Sequence, residues 1–420
     1  MFDIKFIREN KEKYLEIVKN KGVDLDVEKL LLLDKKRRDL IYKTEELKKE
    51  QNKLSREEIE KAKKIKEEFK ALKEKLNSVE KEYNSLMLIT PNIYSDDTPV
   101  GKDEKSNVEI LKKGEIRKFD FKIKSHIELG KDLDIIDIER GVKTSGFRGY
   151  YLKNEGALLS LALMWHCILK MKEKGFSFMI PPTLLREFAL VGSGHFPFGK
   201  EEIYQIANPG KLANGENVTE KTYLAGTSEP SLLAYFSDLI LEEEKLPVKV
   251  CAFSNCYRSE IGSYGKDTKG LYRIHEFMKV EQVVLCKNSI EESNFWLEEM
   301  RKISEEILQE LELPYRILQL CTGDMGAGKY KMYDIETWMP SRNSYGETHS
   351  DSNLTDWQSR RLNIKYRNKK GEKFFAYTLN NTVIASPRIL IAILENHQEK
   401  NGSVKIPKVL TKYLPFNKIG

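Results

Sequence analysis

Residues Cys256 to Glu281 read CYRSEIGSYGKDTKGLYRIHEFMKVE. A short apolar run ends in Arg258-Ser259-Glu260. A polar loop with Gly262, Gly265 and Gly270 follows, and a second run carries Arg273, His275, Phe277, Lys279 and Glu281. Side chains alternate faces along a strand, so the odd positions from Arg273 to Glu281 are predicted to share one face. Guanidinium groups fork onto phosphates, a phenyl ring stacks on a purine, and a carboxylate accepts from an amine. Two arginines, a ring and a carboxylate on a strand–loop–strand therefore suit a nucleoside triphosphate such as ATP. On composition alone, a solvent-facing strand of mixed charge is the simpler reading.

Other patterns are weaker. Gly323-Asp-Met-Gly-Ala-Gly328-Lys329 is one residue short of a phosphate-binding P-loop, and Tyr330 follows where a Mg²⁺-binding Ser or Thr is needed. His275 shares the predicted active face, His195 sits in the loop VGSGH with no evident carboxylate partner, and His349 lies between Glu347 and Ser350. Cys167, Cys251, Cys256, Cys286 and Cys321 are odd in number, at spacings that fit neither a disulfide framework nor a zinc site. Buried thiols in a reducing compartment are expected.

These residues need a scaffold. The chain has 420 residues, 40% of them hydrophobic, enough for two or three domains with a sizeable core. Its net charge of +6 permits a polyanionic partner without demanding one. The charged opening MFDIKFIRENKEKYLEI has no apolar stretch of the signal-peptide kind, and no apolar run approaches the roughly 20 residues that span a bilayer. No membrane association and a cytoplasmic location are expected.

From about 27 to 88 the chain is nearly free of Gly and Pro. Leu33, Leu40, Leu47 and Leu54 recur every seventh residue; Ala62, Ile65, Phe69, Leu72, Leu76, Val79, Tyr83 and Leu86 step by alternating three and four. Both are apolar seams of helices. Asn52 and Ser55 mark a turn, and Ser55-Arg-Glu-Glu58 reads as a capping box. Two helices of about 25–30 residues would form a projecting antiparallel hairpin about 40 Å long. The pattern fits a structural coiled coil or dimerisation arm as well as an RNA-contacting arm. TPNIYSDDTPVG (90–101) is a linker. Beyond it, helices such as Leu158–Lys174 and Ile290–Leu311 alternate with predicted strands at Val248–Ser254, Leu271–Phe277, Val280–Leu285, Ile364–Arg367 and Lys373–Leu379. Loops too short for helical crossovers make this an α+β fold on an antiparallel sheet.

The stretch from Arg258 to Glu281 resembles motif 2 of class II aminoacyl-tRNA synthetases, and within that class the seryl-tRNA synthetase family of bacterial type. Nearly every fixed position is met, Asp267-Thr268 included; Glu276 stands where the family usually has Gln. The resemblance spans the chain. MFDIKFIRE (1–9) is similar to the family's start, and the heptad hairpin to its tRNA-binding arm. Ile180-Pro181-Pro182 resembles motif 1, the dimer-interface element, and Thr227-Ser228-Glu229 the Thr-Ala-Glu loop with Ser for Ala. Thr322–Met325 and Tyr333–Trp338 resemble the strands leading to Glu347-Thr348-His349-Ser350, which stands for Glu-x-x-Ser, with His349 where a small residue is usual. Leu379 through Arg388 and Glu395–Gln398 resemble motif 3, with Asn381-Thr382 replacing the commoner Gly-Ser.

The resemblance implies a class II antiparallel core flanked by helices (106–420) behind an N-terminal domain with a helical coiled-coil arm (1–105). It implies an ATP site of Arg258, Ser259, Glu260, Arg273, Ile274, Phe277, Glu347, Thr348, His349, Ser350 and Arg388. In it, Arg258 holds the α-phosphate and the serine carboxylate, Glu260 and Phe277 hold adenine, and Arg273 and Arg388 clamp the outer phosphates; Arg258 and Arg388 are the catalytic pair. Serine is met by Thr227, Ser228, Glu229, Arg258, Glu281 and Thr382, and Mg²⁺ by Glu347 and Ser350. The implied activity is serine–tRNA ligation: ATP activates L-serine to seryl-adenylate with release of pyrophosphate, and serine passes to the end of tRNA(Ser), or of tRNA(Sec) where it exists. A homodimer is implied as well. A binding protein on a dead synthetase fold has no physical need for Arg258, Arg273, Glu347 and Arg388 together. A ligase that charges a carrier protein has no evident need for the arm.

Overall fold

The computed structural model describes residues 1–54, 59–208, 210–261 and 269–420. The chain divides into two compact units, Met1–Ile93 and Tyr94–Gly420.

The first unit is helical. It comprises α1 (Ile4–Glu9), α2 (Lys11–Asn20), α3 (Val27–Gln51) and α4 (Ile59–Leu88). Asp26 caps α3 by accepting from the Lys29 amide at 2.9 Å. Helices α3 and α4 form the hairpin. Leu33, Ile65 and Tyr83 are buried, and Leu40, Leu47, Phe69, Leu72, Leu76 and Val79 are half-buried while most residues between them are exposed. The heptad positions are thus the seam. Arg37 ties the helices through Glu80 at 3.0 Å and lies 5.3 Å over the Tyr83 ring. The hairpin's base packs Ile7, Tyr14, Ile17, Leu30 and Met87, and the Tyr14 hydroxyl donates to the Pro91 carbonyl at 2.9 Å. The predicted capping box at 55–58 lies outside the described residues.

The second unit is built on a sheet with, among the described residues, eight strands. They are β1 (Val108–Lys113), β2 (Ser177–Met179), β3 (Val248–Tyr257), β4 (Glu276–Cys286), β5 (Tyr315–Gln319), β6 (Lys331–Met339), β7 (Ser344–Asn353) and β8 (Tyr377–Ala385). Their spatial order is β1-β5-β6-β7-β8-β4-β3-β2, antiparallel except for the parallel β2–β3 edge pair. The helices that matter for the site are α5 (Asn154–Glu173), α6 (Glu229–Ala234), α7 (Ile290–Glu310), α8 (Trp357–Leu362) and α9 (Ser386–Asn396). Helix α5 buries Leu159, Leu163, Cys167 and Met171 and α7 buries Leu297, Met300, Ile307 and Leu308, in one core with Val280, Val284, Ile335 and Leu379 of the sheet. No helix of the described residues is long and apolar enough to cross a membrane.

Two predicted strands need correction. Leu271–Phe277 is not a strand: pairing starts at Glu276, so Arg273 and His275 stand in the turn before β4. The Leu271 amide donates to His126 Nε2 at 3.2 Å, and that bond takes the place of a ladder bond. Lys373–Leu379 is two strands. Lys373–Phe375 pairs with Lys365–Arg367 in a separate three-stranded sheet, and from Tyr377 the chain joins the main sheet as β8. Buried Ala376 marks the break.

Candidate active site

Strands β4, β7 and β8, the segments joining β3 to β4 and the start of α9 line a cavity. Arg258, Glu260, Arg273, Ile274 and Phe277 line it from the segments joining β3 and β4, Glu347, Thr348 and His349 from β7, and Thr382 and Arg388 from β8 and α9. These ten expected site residues come together.

The arginines are held in place by the fold. Arg258 Nε donates to the Gly226 carbonyl at 3.2 Å, and its guanidinium lies 5.5 Å from the centre of the Phe277 ring. Arg273 meets Glu260 Oε2 at 3.0 Å, and Glu260 itself takes a left-handed backbone, φ 52°. Such backbone is costly for a non-glycine residue and clusters at sites where the surroundings enforce it. Arg388 donates from one nitrogen to both the Glu347 carbonyl (2.7 Å) and Glu347 Oε2 (3.1 Å), and through Nε to the Tyr272 carbonyl (3.2 Å). The Tyr272 ring has Arg342 and Arg388 at 4.1 and 4.4 Å.

The acidic groups are tuned in opposite directions. Burial disfavours the Glu347 charge, but Arg388, with Arg258 and Arg273, outweighs it and holds the carboxyl below its ordinary range. Asp334 on β6 is pushed well above its ordinary range by burial and by the charge of Glu347. Asp334 pairs across the strands with Ser350, and its buried Oδ1 has no hydrogen-bond donor. Glu347, Ser350 and Asp334 are an all-oxygen set with an unsatisfied buried atom and repelling carboxylates. That is donor chemistry that fits a hard dication such as Mg²⁺.

A second cluster lies at the head of α6. Thr227, Ser228 and Glu229 are buried, and the Ser228 hydroxyl meets that of Ser254 at 2.7 Å. Glu229 Oε1 accepts from Gln358 Nε2 of α8 (2.6 Å) and Asn380 Nδ2 of β8 (2.9 Å). Thr382 faces Glu281 directly across β8 and β4. A bulge after Thr382 shifts the register, so that Ile384 pairs with Val280. Bulges of this kind re-aim side chains next to sites. Glu281 lies below the pocket floor, its Oε2 at 2.5 Å from Lys279 Nζ.

Ser259, Ser350, Thr227, Ser228, Glu229 and Glu281 do not line the cavity. Ser259 turns its hydroxyl to the Glu201 carbonyl at 2.7 Å. Sequence reasoning assigned no role to Lys279, Tyr272, Asp334, Gln358 or Asn380. Strand alternation had placed Lys279 on the active face; Tyr272, Asp334, Gln358 and Asn380 lie in or beside the stretches that resemble the family's motifs, without a role assigned to any.

The set-aside patterns have structural roles. His275 Nδ1 meets the Arg258 carbonyl at 2.8 Å and Tyr204 at 3.0 Å, and braces the turn. His195 pairs with the Ser193 hydroxyl at 2.9 Å, and burial pushes it down to about 4. A Cβ on Gly328 would come within 2.8 Å of the Trp357 ring, so the P-loop-like run serves packing. All five cysteines are free and buried. Asp267-Thr268, with Gly262 and Gly265, lies outside the described residues.

Residues 1–94 match the family model described as the seryl-tRNA synthetase N-terminal domain, and 212–397 match that of the tRNA synthetase class II core domain (G, H, P, S and T). A serine–tRNA ligase of Borreliella afzelii is 44% identical, covering 100% of this chain and 99% of its own. The chain belongs to the seryl-tRNA synthetase family. A second member, the serine–tRNA ligase of Deinococcus radiodurans, is 42% identical, covering 99% of this chain and 97% of its own. The crystal structure of seryl-tRNA synthetase from Pyrococcus horikoshii complexed with ATP superposes with a TM-score of 0.90 at 37% identity, covering 100% of this chain and 99% of that one. For this chain, both the class II fold and the helical arm agree with the expectation from sequence.

Proposed function

We propose that the cavity activates L-serine with ATP and that the product passes to tRNA(Ser), the reaction of a serine–tRNA ligase. The observation that carries this reading is the convergence of Arg258, Arg273, Glu347 and Arg388 on one cavity beside the Thr382–Glu281 pair. Arg258 meets the α-phosphate and the serine carboxylate. Phe277, Ile274 and Glu260 receive adenine, and Arg273 and Arg388 exchange their carboxylate partners for the outer phosphates. Thr348 and His349 form part of that wall, and Ser259 serves through its backbone.

Glu229, oriented by Gln358 and Asn380, accepts from the serine ammonium beside Thr227 and Ser228, and Glu281 and Thr382 take the side-chain hydroxyl. The serine carboxylate attacks the α-phosphorus in line, pyrophosphate leaves, and the tRNA terminal hydroxyl then attacks the activated carbonyl. Positioning and charge neutralisation carry the rate, with no side-chain nucleophile. Glu347, Ser350 and Asp334 would hold Mg²⁺, which neutralises phosphate charge when bound. Buried acceptors without a hydroxyl partner penalise alanine.

The remaining assignments rest on composition and surface. The lysine-rich hairpin contacts tRNA through its backbone and shape. Leu158, Leu161 and Trp165 lie about half exposed along one face of α5, beside exposed Phe178 and Ile180 at β2. That apolar face is the homodimer contact. The protein works in the cytoplasm, where its free thiols stay reduced.

Serine-dependent exchange of pyrophosphate into ATP tests the reading, with threonine, alanine and glycine in parallel and tRNA omitted. Exchange with serine alone is expected. None with any amino acid, in folded protein that binds ATP, would refute it.

A further inference from the structure

Three strands that carry the pocket present a second polar row on their other face. Because side chains alternate, the residues after Glu281, Thr382's predecessor on β8 and the residue after Ser350 point away from the cavity and toward α7. They are Gln282, Asn381 and Asp351. They stand in direct cross-strand register, Asp351 with Asn381 and Asn381 with Gln282, and each is fully buried. Adjacent residues in such a register have Cβ atoms about 5 Å apart, and the outer two, Asp351 and Gln282, about 10 Å, so a shared ligand would sit at the central Asn381.

The amide orientations are fixed by α7. Gln282 Nε2 donates to the Met300 carbonyl at 3.2 Å; Asn381 Nδ2 donates to the same carbonyl and to Ser304 Oγ, both at 3.0 Å. The amide oxygens are therefore left over. Gln282 Oε1, Asn381 Oδ1 and both carboxylate oxygens of Asp351 have no hydrogen-bond donor among the described residues. Buried polar atoms almost always have a partner, and a buried carboxylate without one is strongly disfavoured.

The nearest arginine is already engaged. Arg301 of α7 is committed to Glu298 at 2.5 Å and Glu305 at 3.5 Å, and the Tyr333 hydroxyl donates to Glu298 at 2.8 Å.

We propose that Asp351, Asn381 and Gln282 form a buried site for a monovalent cation of the sodium–potassium class, on the opposite face of the sheet from Glu347 and Ser350. All available ligand atoms are oxygens, as a hard cation requires. A single carboxylate among neutral carbonyls is a low charge count for Ca²⁺, and Mg²⁺ demands near-octahedral geometry and keeps its waters. Carbonyl oxygens replacing a hydration shell suit a monovalent ion. This inference stands independently of the ligase reading of the cavity.

The test uses the full chain. Unfolding midpoints are measured in chloride salts of potassium, sodium, lithium and tetramethylammonium at equal ionic strength, for the natural sequence and for Asp351→Asn. That variant keeps the side chain's shape and removes its charge. A saturable rise of several degrees in potassium or sodium over tetramethylammonium is expected, and its loss in Asp351→Asn. Crystals soaked in rubidium or thallium salt should show an anomalous peak bounded by the three side chains, and that map decides where the two measurements differ. A midpoint indifferent to cation identity together with no peak, or the same cation response in Asp351→Asn, overturns the proposal. The row would then be satisfied by ordered water or by a protonated Asp351.

Discussion

Lys279 Nζ lies 2.5 Å from Glu281 Oε2, and both side chains are almost wholly buried. Burial pushes the Glu281 carboxyl above its ordinary range, and Lys279 pulls it back. The lysine thus limits that rise and supplies the counter-charge of a buried acid beside Thr382. Glu281→Ala should raise the serine KM in pyrophosphate exchange by about 10²-fold while the ATP KM changes by less than about threefold, since one buried charged hydrogen bond is lost. Equal loss of both substrates would remove Glu281 from the serine contacts. Lys279→Met leaves the carboxylate without its counter-charge and should cost about 3–5 kcal/mol of stability, read by urea unfolding.

Arg388 binds Glu347 and shares the wall of the cavity with Arg273. Arg388→Ala should lower the exchange kcat by about 10³-fold. Arg388→Lys should recover little, because an ammonium cannot reproduce the planar fork. Chelation by EDTA should abolish exchange and added Mg²⁺ should restore it, with Glu347→Gln shifting the restoring titration to higher metal. Exchange that persists in EDTA would take the metal role from Glu347, Ser350 and Asp334.

Gly270 has φ +75°, and a Cβ there would lie 2.2 Å from His126 Nε2, the atom that accepts from the Leu271 amide. Gly270→Ala should therefore both strain the backbone and displace the histidine that seats the turn carrying Arg273. Gly146 has φ +83° with no atom within 4 Å of its Cβ. With ψ −163° it lies in a region essentially reserved for glycine, so Gly146→Ala should cost the backbone penalty alone, about 1–3 kcal/mol. Unfolding midpoints should separate the two, and only Gly270→Ala should raise the ATP KM.

Glu395 supplies the other side of that histidine. Its Oε1 accepts from His126 Nδ1 and the Ser341 hydroxyl at 2.8 Å and from the His126 amide at 2.9 Å, and its Oε2 accepts from the Ser341 amide at 2.9 Å. Burial opposes the charge, yet the bonds from His126 and Ser341 outweigh it and hold the carboxyl below its ordinary value of 4.5. Its stabilisation is therefore fully present above that ordinary value and is lost as pH falls through the depressed folded value. Glu395→Gln should be less stable by about 3 kcal/mol at neutral pH and should lose less on acidification than the natural chain. Urea midpoints between about pH 3 and about pH 7 check both.

Replacing lysines on the exposed faces of α3 and α4 should reduce tRNA charging and spare pyrophosphate exchange. Each phosphate contact removed should flatten the salt dependence of tRNA binding by roughly one unit of log–log slope. If exchange falls in parallel, the hairpin is not a separate tRNA element.

The hairpin was legible because its seam repeats: heptad positions over some sixty residues report one geometric fact many times. Strand alternation placed Phe277, Lys279 and Glu281 on one face, as the structure has them. It failed one turn earlier, at Arg273, where the neighbouring Leu271 gives its amide to His126, 145 residues from it, instead of to a strand. Glu229 and Gln358 are 129 residues apart, and no local pattern announces their bond. Asp334 reads in sequence as one acid in an ordinary alternating strand; its place near Glu347 follows from the pairing of β6 with β7. The residues proposed to touch ligand are signalled by type and spacing, and those that hold them are signalled by topology.

The Thr382–Glu281 pairing also limits how such a site can change. A slip of one residue in β4 against a fixed β8 would turn Glu281 beneath α7, lift Gln282 to the cavity face and leave Thr382 without its partner. An insertion or deletion within these strands would thus exchange two incompatible surfaces at once. A new amino-acid preference on this scaffold has to arise by replacing side chains at alternate positions, one at a time, in strands of unchanging length.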